Sequence, residues 1–137
     1  VLWLDANLEL RRPLDAIFDV ILRRRHASEG GYFLTVAGHR FPTAKTVRPK
    51  TLDHFDCRAP HASRPECTSA VVGVERGSAF HTHLLPSVSN CTLRRDCLFP
   101  PDAVGNANNR RDQSALNAAL CAAKATNHLH FQCEPDR

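Results

Sequence analysis

Methionine is absent from these 137 residues, and aromatic side chains are few, with one tryptophan, one tyrosine and seven phenylalanines. Lysine is nearly missing too: Lys45, Lys50 and Lys124 stand against fifteen arginines, for a net charge of +4 with histidines neutral. No apolar run approaches the ~20 residues that cross a bilayer, so the sequence offers no transmembrane helix. Glycine is sparse, and Gly30-Gly31 is its only pair, which excludes a glycine-rich phosphate loop. There is no Gly-x-Ser-x-Gly elbow to raise a serine nucleophile. The arginines are scattered as short doublets rather than gathered in a stripe, which argues against a nucleic-acid partner. Arg23-Arg24-Arg25 falls at the end of an expected helix, where cations complement the macrodipole and point into solvent.

Six cysteines, at positions 57, 67, 91, 97, 121 and 133, include no Cys-x-x-Cys pair. Zinc sites usually need that close spacing, so a disulfide framework in an oxidising compartment is the expectation. Bridged cysteines are not nucleophiles. Asn90-Cys91-Thr92 is an N-glycosylation acceptor triplet, with meaning only in the secretory pathway.

Length and a 42% hydrophobic content suit one domain with one core. Val1-Leu2-Trp3-Leu4-Asp5-Ala6-Asn7 reads as a strand buried on both faces, whose carboxyl end meets water at Asp5. Open α/β sheets place ligands at that end. A carboxylate there suits a metal or a phosphate, although Asp5 as a simple cap of the turn stays open. Leu14, Ile17, Phe18, Ile21 and Leu22 form an apolar stripe at helical period, with Pro13 in the first turn.

Further strands are expected at 32–36 and 70–74, a short helix at 49–55, and a helical segment from Gly77 that Pro86 interrupts. Gly105 to Asn109 reads as a polar loop. An alanine-rich helix runs from Asp112 to about Ala125, and 128–132 makes a last strand. Strands alternating with helices indicate an α/β layer fold. Because the chain opens directly on a core strand, it is expected to be a piece of a longer polypeptide.

Two motifs carry a resemblance. Leu2-Trp3-Leu4-Asp5-Ala6-Asn7-Leu8-Glu9-Leu10 is similar to the strand and metal-binding turn of nucleotide-sugar glycosyltransferases of the GT-A fold. Asp112-Gln113-Ser114-Ala115-Leu116-Asn117 resembles the Asp-Gln-x-x-Leu-Asn box of glycogenin-like retaining members. In order, WLDANLEL, GYFLTVAGH, Thr46-Val47-Arg48-Pro49, the Cys91 to Pro101 segment and RRDQSALN also resemble a group of animal and nematode nucleotide-sugar transferase-like proteins. The resemblance implies the carboxyl-terminal half of a GT-A domain, an incomplete sheet with packed helices, with the nucleotide-binding strands upstream of Val1.

It also implies roles. Asp112 would hold donor-sugar hydroxyls and Gln113 would lie near the anomeric carbon, as the catalytic pair. Asp112 is equally suited to cap the alanine-rich helix. Donor binding would add Asp5, Asn7, Arg111 and Asn117. A Mn²⁺ or Mg²⁺ cofactor would take Asp5, with Asn7 in place of the second acid of Asp-x-Asp, and His130 as a loose counterpart of a late histidine ligand. His81-Thr82-His83 lacks the glycine and glutamate of a cupin motif, so an exposed helix or loop is its expected place.

In the resembling proteins a cysteine pair stands at Cys91 and Cys97, which enclose a short loop, and that bridge ranks first. Cys57–Cys67 ranks second, leaving Cys121 and Cys133 as a third bridge or free thiols, among fifteen formal pairings.

The resulting expectation is a fragment of a Golgi or other secretory-lumen glycosyltransferase, or an extracellular one. It would move a sugar from a nucleotide-diphosphate donor to a glycan or protein hydroxyl, be held to the membrane only through an amino-terminal anchor outside this stretch, and be inactive alone. The alternatives are a secreted, disulfide-stabilised binding module that has lost catalysis, or the product of a truncated gene.

Overall fold

The computed structural model describes residues 1–6, 8–9, 11, 13–27, 30–37, 41–59, 61–101, 111–127, 129 and 131–134. It is a mixed α/β arrangement around a three-stranded sheet. Strands β1 (Leu2–Leu4), β2 (Tyr32–Val36) and β3 (Cys67–Val74) lie in the order β1-β3-β2, and both pairings are antiparallel. The expected two-sided burial of the opening strand is therefore not found. β1 is an edge strand, Leu2 and Leu4 are half-buried, and Trp3 is 62% exposed. A rule drawn from parallel sheets does not carry over to an antiparallel edge.

Helix α1 (Asp15–Arg24) covers one face of the sheet. Its Val20 and Ile21 are buried, and Pro13 lies just before the helix rather than in its first turn. The fit is close at Gly73: a Cβ there would stand 2.7 Å from Ile21 Cδ1 and 3.0 Å from Phe33 Cβ. At Gly30 the backbone has φ +75°, and an added Cβ would meet Ser78 Cβ at 2.6 Å, so both the turn and the approach require glycine.

The other face carries the main core, with Tyr32, Leu34, Val74, Phe80, Leu84, Leu116, Leu120 and Phe131 among its buried residues. Tyr32 stacks on Phe80 at 5.6 Å, and Phe131 meets both rings edge-on at 5.3 and 5.2 Å. Helix α6 (Arg111–Asn127) fills this layer, and residues 113–121 are all buried. Its alanines explain how: Ala115, Ala118 and Ala119 are at most 3% exposed, and side chains this small let several elements approach one helix at once.

Around α6 lie α2 (Thr43–Thr46), α3 (Pro49–His54), a 3₁₀ turn (His61–Ser63), α4 (Leu85–Thr92) and α5 (Arg95–Leu98). Pro86 does not end the helical segment. A π-helical turn (Phe80–Leu84) precedes it and α4 restarts there, so Pro86 occupies a first-turn position whose missing N–H costs nothing. Of the expected last strand at 128–132, residues 129, 131 and 132 are in no strand, and a parallel bridge beyond it joins Glu134 to Thr35; residues 105–109, 128 and 130 lie outside the described residues.

Of the three arginines at the end of α1, Arg23 is exposed as expected, and the other two reach acids. Arg24 donates to Glu134 Oε1 at 2.6 Å and to the Gln132 carbonyl at 3.0 Å, and stands 4.3 Å over the Tyr32 ring. Arg25 pairs with Glu75 at 2.6 Å. These contacts tie the helix end to the carboxyl-terminal segment and to the residue after β3.

Three disulfides form, Cys57–Cys121, Cys67–Cys133 and Cys91–Cys97, and no cysteine is free. The pair expected from the resemblance, Cys91–Cys97, is present. The second-ranked Cys57–Cys67 pair is not, because β3 carries Cys67 into the sheet beside the terminal segment while α6 brings Cys121 against the end of α3. The bridges fit a secreted or lumenal setting, and among the described residues no helix is long and apolar enough to cross a membrane.

Peptide mapping without reductant should return 57–121, 67–133 and 91–97. Replacing Cys57 and Cys121 together by serine opens a loop of 64 residues and should cost ~4 kcal/mol. Opening the six-residue 91–97 loop should cost ~2 kcal/mol in the same denaturant titration.

Candidate functional site

The acid-amide box lies at the start of α6, and its side chains divide by helical position. Asp112 is exposed in the first turn, whereas Gln113 (7%) and Asn117 (3%) are buried. Buried amides must find partners, and both do. Gln113 Nε2 donates to Glu66 Oε2 at 3.0 Å, beneath a glutamate that is fully buried. Asn117 Nδ2 donates to the carbonyls of Cys67 and Gln113, each at 2.8 Å, while its Oδ1 accepts the Cys67 N–H at 2.7 Å.

Asn117 thus meets both backbone groups of Cys67 as a neighbouring strand would. On the other side, the Ala37 N–H bonds the Glu66 carbonyl at 2.8 Å, and the β2–β3 register shifts between Leu34 and Val36. Glu134 is inserted there, donating to Leu34 at 2.6 Å and accepting from Val36 at 2.9 Å. In this structure Gln113 and Asn117 hold the fold, and neither amide faces open solvent.

Arg111 begins α6 at φ +43°, a left-handed conformation that is strained for a side chain of this size. It is exposed, with its guanidinium 4.9 Å over the Phe99 ring. The strained residue and the exposed carboxylate of Asp112 are therefore adjacent at the positive end of a 17-residue helix.

Asp5 follows β1, with its N–H bonded to the Ala70 carbonyl at 2.9 Å and its own carbonyl accepting from Leu8 at 3.0 Å. Ala70 is three residues along β3 from Cys67, where Asn117 is attached. The carboxyl end of β1 therefore reaches the middle of β3 through Ala70, whereas α6 is attached at its first residue, Cys67. Asn7 and His130 lie outside the described residues. Among the described residues no group of three or more His, Cys, Asp or Glu could hold a metal ion. A hard cation takes six or more oxygen ligands, so Asp5 alone does not make a cation site.

The remaining candidates are dispersed. Asn90 is exposed on α4, but the next residue, Cys91, is buried in its bridge. Within the same bridged loop Arg94 donates to Asp96 at 2.7 Å, and that hydrogen bond, with the arginine charge, holds the Asp96 carboxyl below its ordinary range. His83 is exposed; His81 is half-buried with Nδ1 covered and unpartnered among the described residues. The sequence reading missed Glu66, the buried acid to which the box is bonded, because a lone glutamate in a loop-like stretch carries no periodic signal.

Comparison with family models, with curated proteins and with solved structures found no match to this chain.

Asn117→Ala leaves the Cys67 N–H and carbonyl without their partner and should cost about 2–4 kcal/mol in chemical denaturation. Asp112→Ala removes only an exposed first-turn acid and should cost less than about 1 kcal/mol. A reversed order would place the structural burden on the wrong member of the box.

Proposed function

We propose that this chain is the carboxyl-terminal part of a lumenal glycosyltransferase that moves a sugar from a nucleotide-diphosphate donor to a hydroxyl of a glycan or protein. In such a transfer the acceptor oxygen bonds the anomeric carbon while the diphosphate leaves, and the site must stabilise charge on the departing oxygen. The observation that carries the reading is the exposed Asp112 beside the strained Arg111, at the amino-terminal end of α6. Strain of ~1–3 kcal/mol is held by surrounding contacts and clusters at functional sites. The ordered series of segments that resemble nucleotide-sugar transferases supports it further.

The roles narrow with the geometry. Asp112 contacts the donor sugar, Arg111 faces its diphosphate, and Gln113 and Asn117 act by positioning the helix. Asp5 would be one ligand of any Mn²⁺ or Mg²⁺, and the described residues do not complete the set. One observation favours a second reading, a secreted binding module without catalysis: the two amides of the box are both engaged inside the fold.

Nucleotide-diphosphate-sugar binding to the full-length protein, titrated with and without Mn²⁺, separates the two. The transferase reading expects saturable donor binding that Asp112→Ala weakens at least ~10-fold, about 1.4 kcal/mol, with no change in melting temperature beyond a few degrees. It also expects no turnover by these 137 residues alone. Folded full-length protein that binds no nucleotide sugar under either condition establishes the binding module instead.

A further inference from the structure

A cleft of about 250 Å³ opens where the start of β3, the middle of α6 and the carboxyl-terminal segment meet. It lies apart from Asp5 and Asp112, neither of which lines it. Its walls are mostly apolar, with Val36, Leu120 and Phe131 and the sulfurs of two disulfides, and its described lining includes two cationic or titratable groups, Arg64 and His61, and no carboxylate.

The backbone puts those two groups together. His61 opens the 3₁₀ turn, and the Arg64 N–H returns to the His61 carbonyl at 3.5 Å. Side chains at i and i+3 of such a turn eclipse. The Arg64 carbonyl is held in turn by the Thr43 N–H at 2.8 Å and the Thr43 hydroxyl at 3.2 Å, which fixes the residue's root. Its guanidinium makes one long bond, from Nη1 to the Phe131 carbonyl at 3.4 Å, which turns it to the cleft wall and leaves it without an acid partner among the described residues.

A guanidinium edge presents two parallel N–H donors that match the two oxygens of a carboxylate. A phosphate group carries more charge and more oxygens than one guanidinium and one imidazole answer, and the other polar residues of the lining, Thr43, Asn117 and Gln132, add no positive charge. The volume lies near the lower limit for ligand pockets, ~300 Å³, so the body is one ring or one short branched chain. We propose that this cleft binds a small organic carboxylate with an apolar tail, its head on Arg64 and His61 and its tail against Val36, Leu120 and Phe131.

The test titrates the oxidised full-length protein with phenylacetate, phenylacetamide and inorganic phosphate, followed by NMR shifts and calorimetry. Phenylacetate should bind one to one with a Kd of about 1 mM or tighter, moving the resonances of Leu120 and Phe131. Phenylacetamide should bind at least tenfold more weakly, and phosphate should not displace phenylacetate at equal concentration. Arg64→Gln should lower the affinity at least tenfold, with Arg64→Lys between, because lysine keeps the charge without the fork. Equal affinity for acid and amide, displacement by phosphate, or no saturation overturns the proposal on the unsubstituted protein alone, whether or not the variants fold.

Discussion

The attachment of Asn117 to Cys67 is the constraint on which the rest of the molecule depends. A side-chain amide bonded to both backbone groups of one strand residue fixes the depth, rotation and register of α6 against β3. The neighbouring Glu66 is joined to Gln113 one turn earlier, and the Cys67 side chain is bridged to Cys133. Two consecutive residues therefore link the central helix, the sheet and the carboxyl-terminal segment. Once α6 is set, Leu116 and Leu120 meet Leu34 and Phe80 in one core, and Cys121 comes within reach of Cys57.

The local pattern of the sequence was a good guide wherever one residue type repeats at a structural period. The stripe from Leu14 to Leu22 and the alanine run give α1 and α6, and Tyr32–Val36 is found as expected. What failed depends on distant partners. β3 begins at Cys67 rather than Ala70 because a helix side chain supplies the missing hydrogen bonds to a polar stretch that looks unlike a strand. Among the described residues the terminal segment pairs with the sheet at Glu134, beyond the expected strand, and the disulfide order follows from which elements α6 touches, which spacing does not record. Pro86 misled for a local reason, since a helix can restart on a proline after a wider turn.

The candidate site shows how a motif can be legible in part. Gln113, Leu116, Asn117 and Leu120 are spaced at i, i+3, i+4 and i+7, the spacing of one inward helix face, and in this helix the residues between them are buried as well. Read that way, the box already separates into an inward stripe and an outward Asp112. The resemblance to transferases treats its members as one group acting on a ligand, whereas helical period assigns two of them to the protein interior. Asp5 was placed by a rule for parallel sheets, and the antiparallel edge removes that rule: its bond to Ala70 sets it beside the middle of β3, three residues from Cys67, where α6 is joined.

Charge follows the same logic of partners. Of the arginine triplet, Arg24 is closed off by Glu134 and the Tyr32 ring, and Arg25 pairs with Glu75 while about half exposed, so these two cations join elements of the fold. Arg64 stands in the opposite situation, with its backbone held by Thr43 and its guanidinium left to a single carbonyl. An ion pair neutralises a guanidinium within the fold, whereas a long bond to a carbonyl leaves most of its charge and donors available. The segment that carries Arg64 continues through Glu66 into Cys67. The same short piece of backbone that locks the central helix thus also presents the unneutralised cation, so the rigidity of the first becomes the preorganisation of the second.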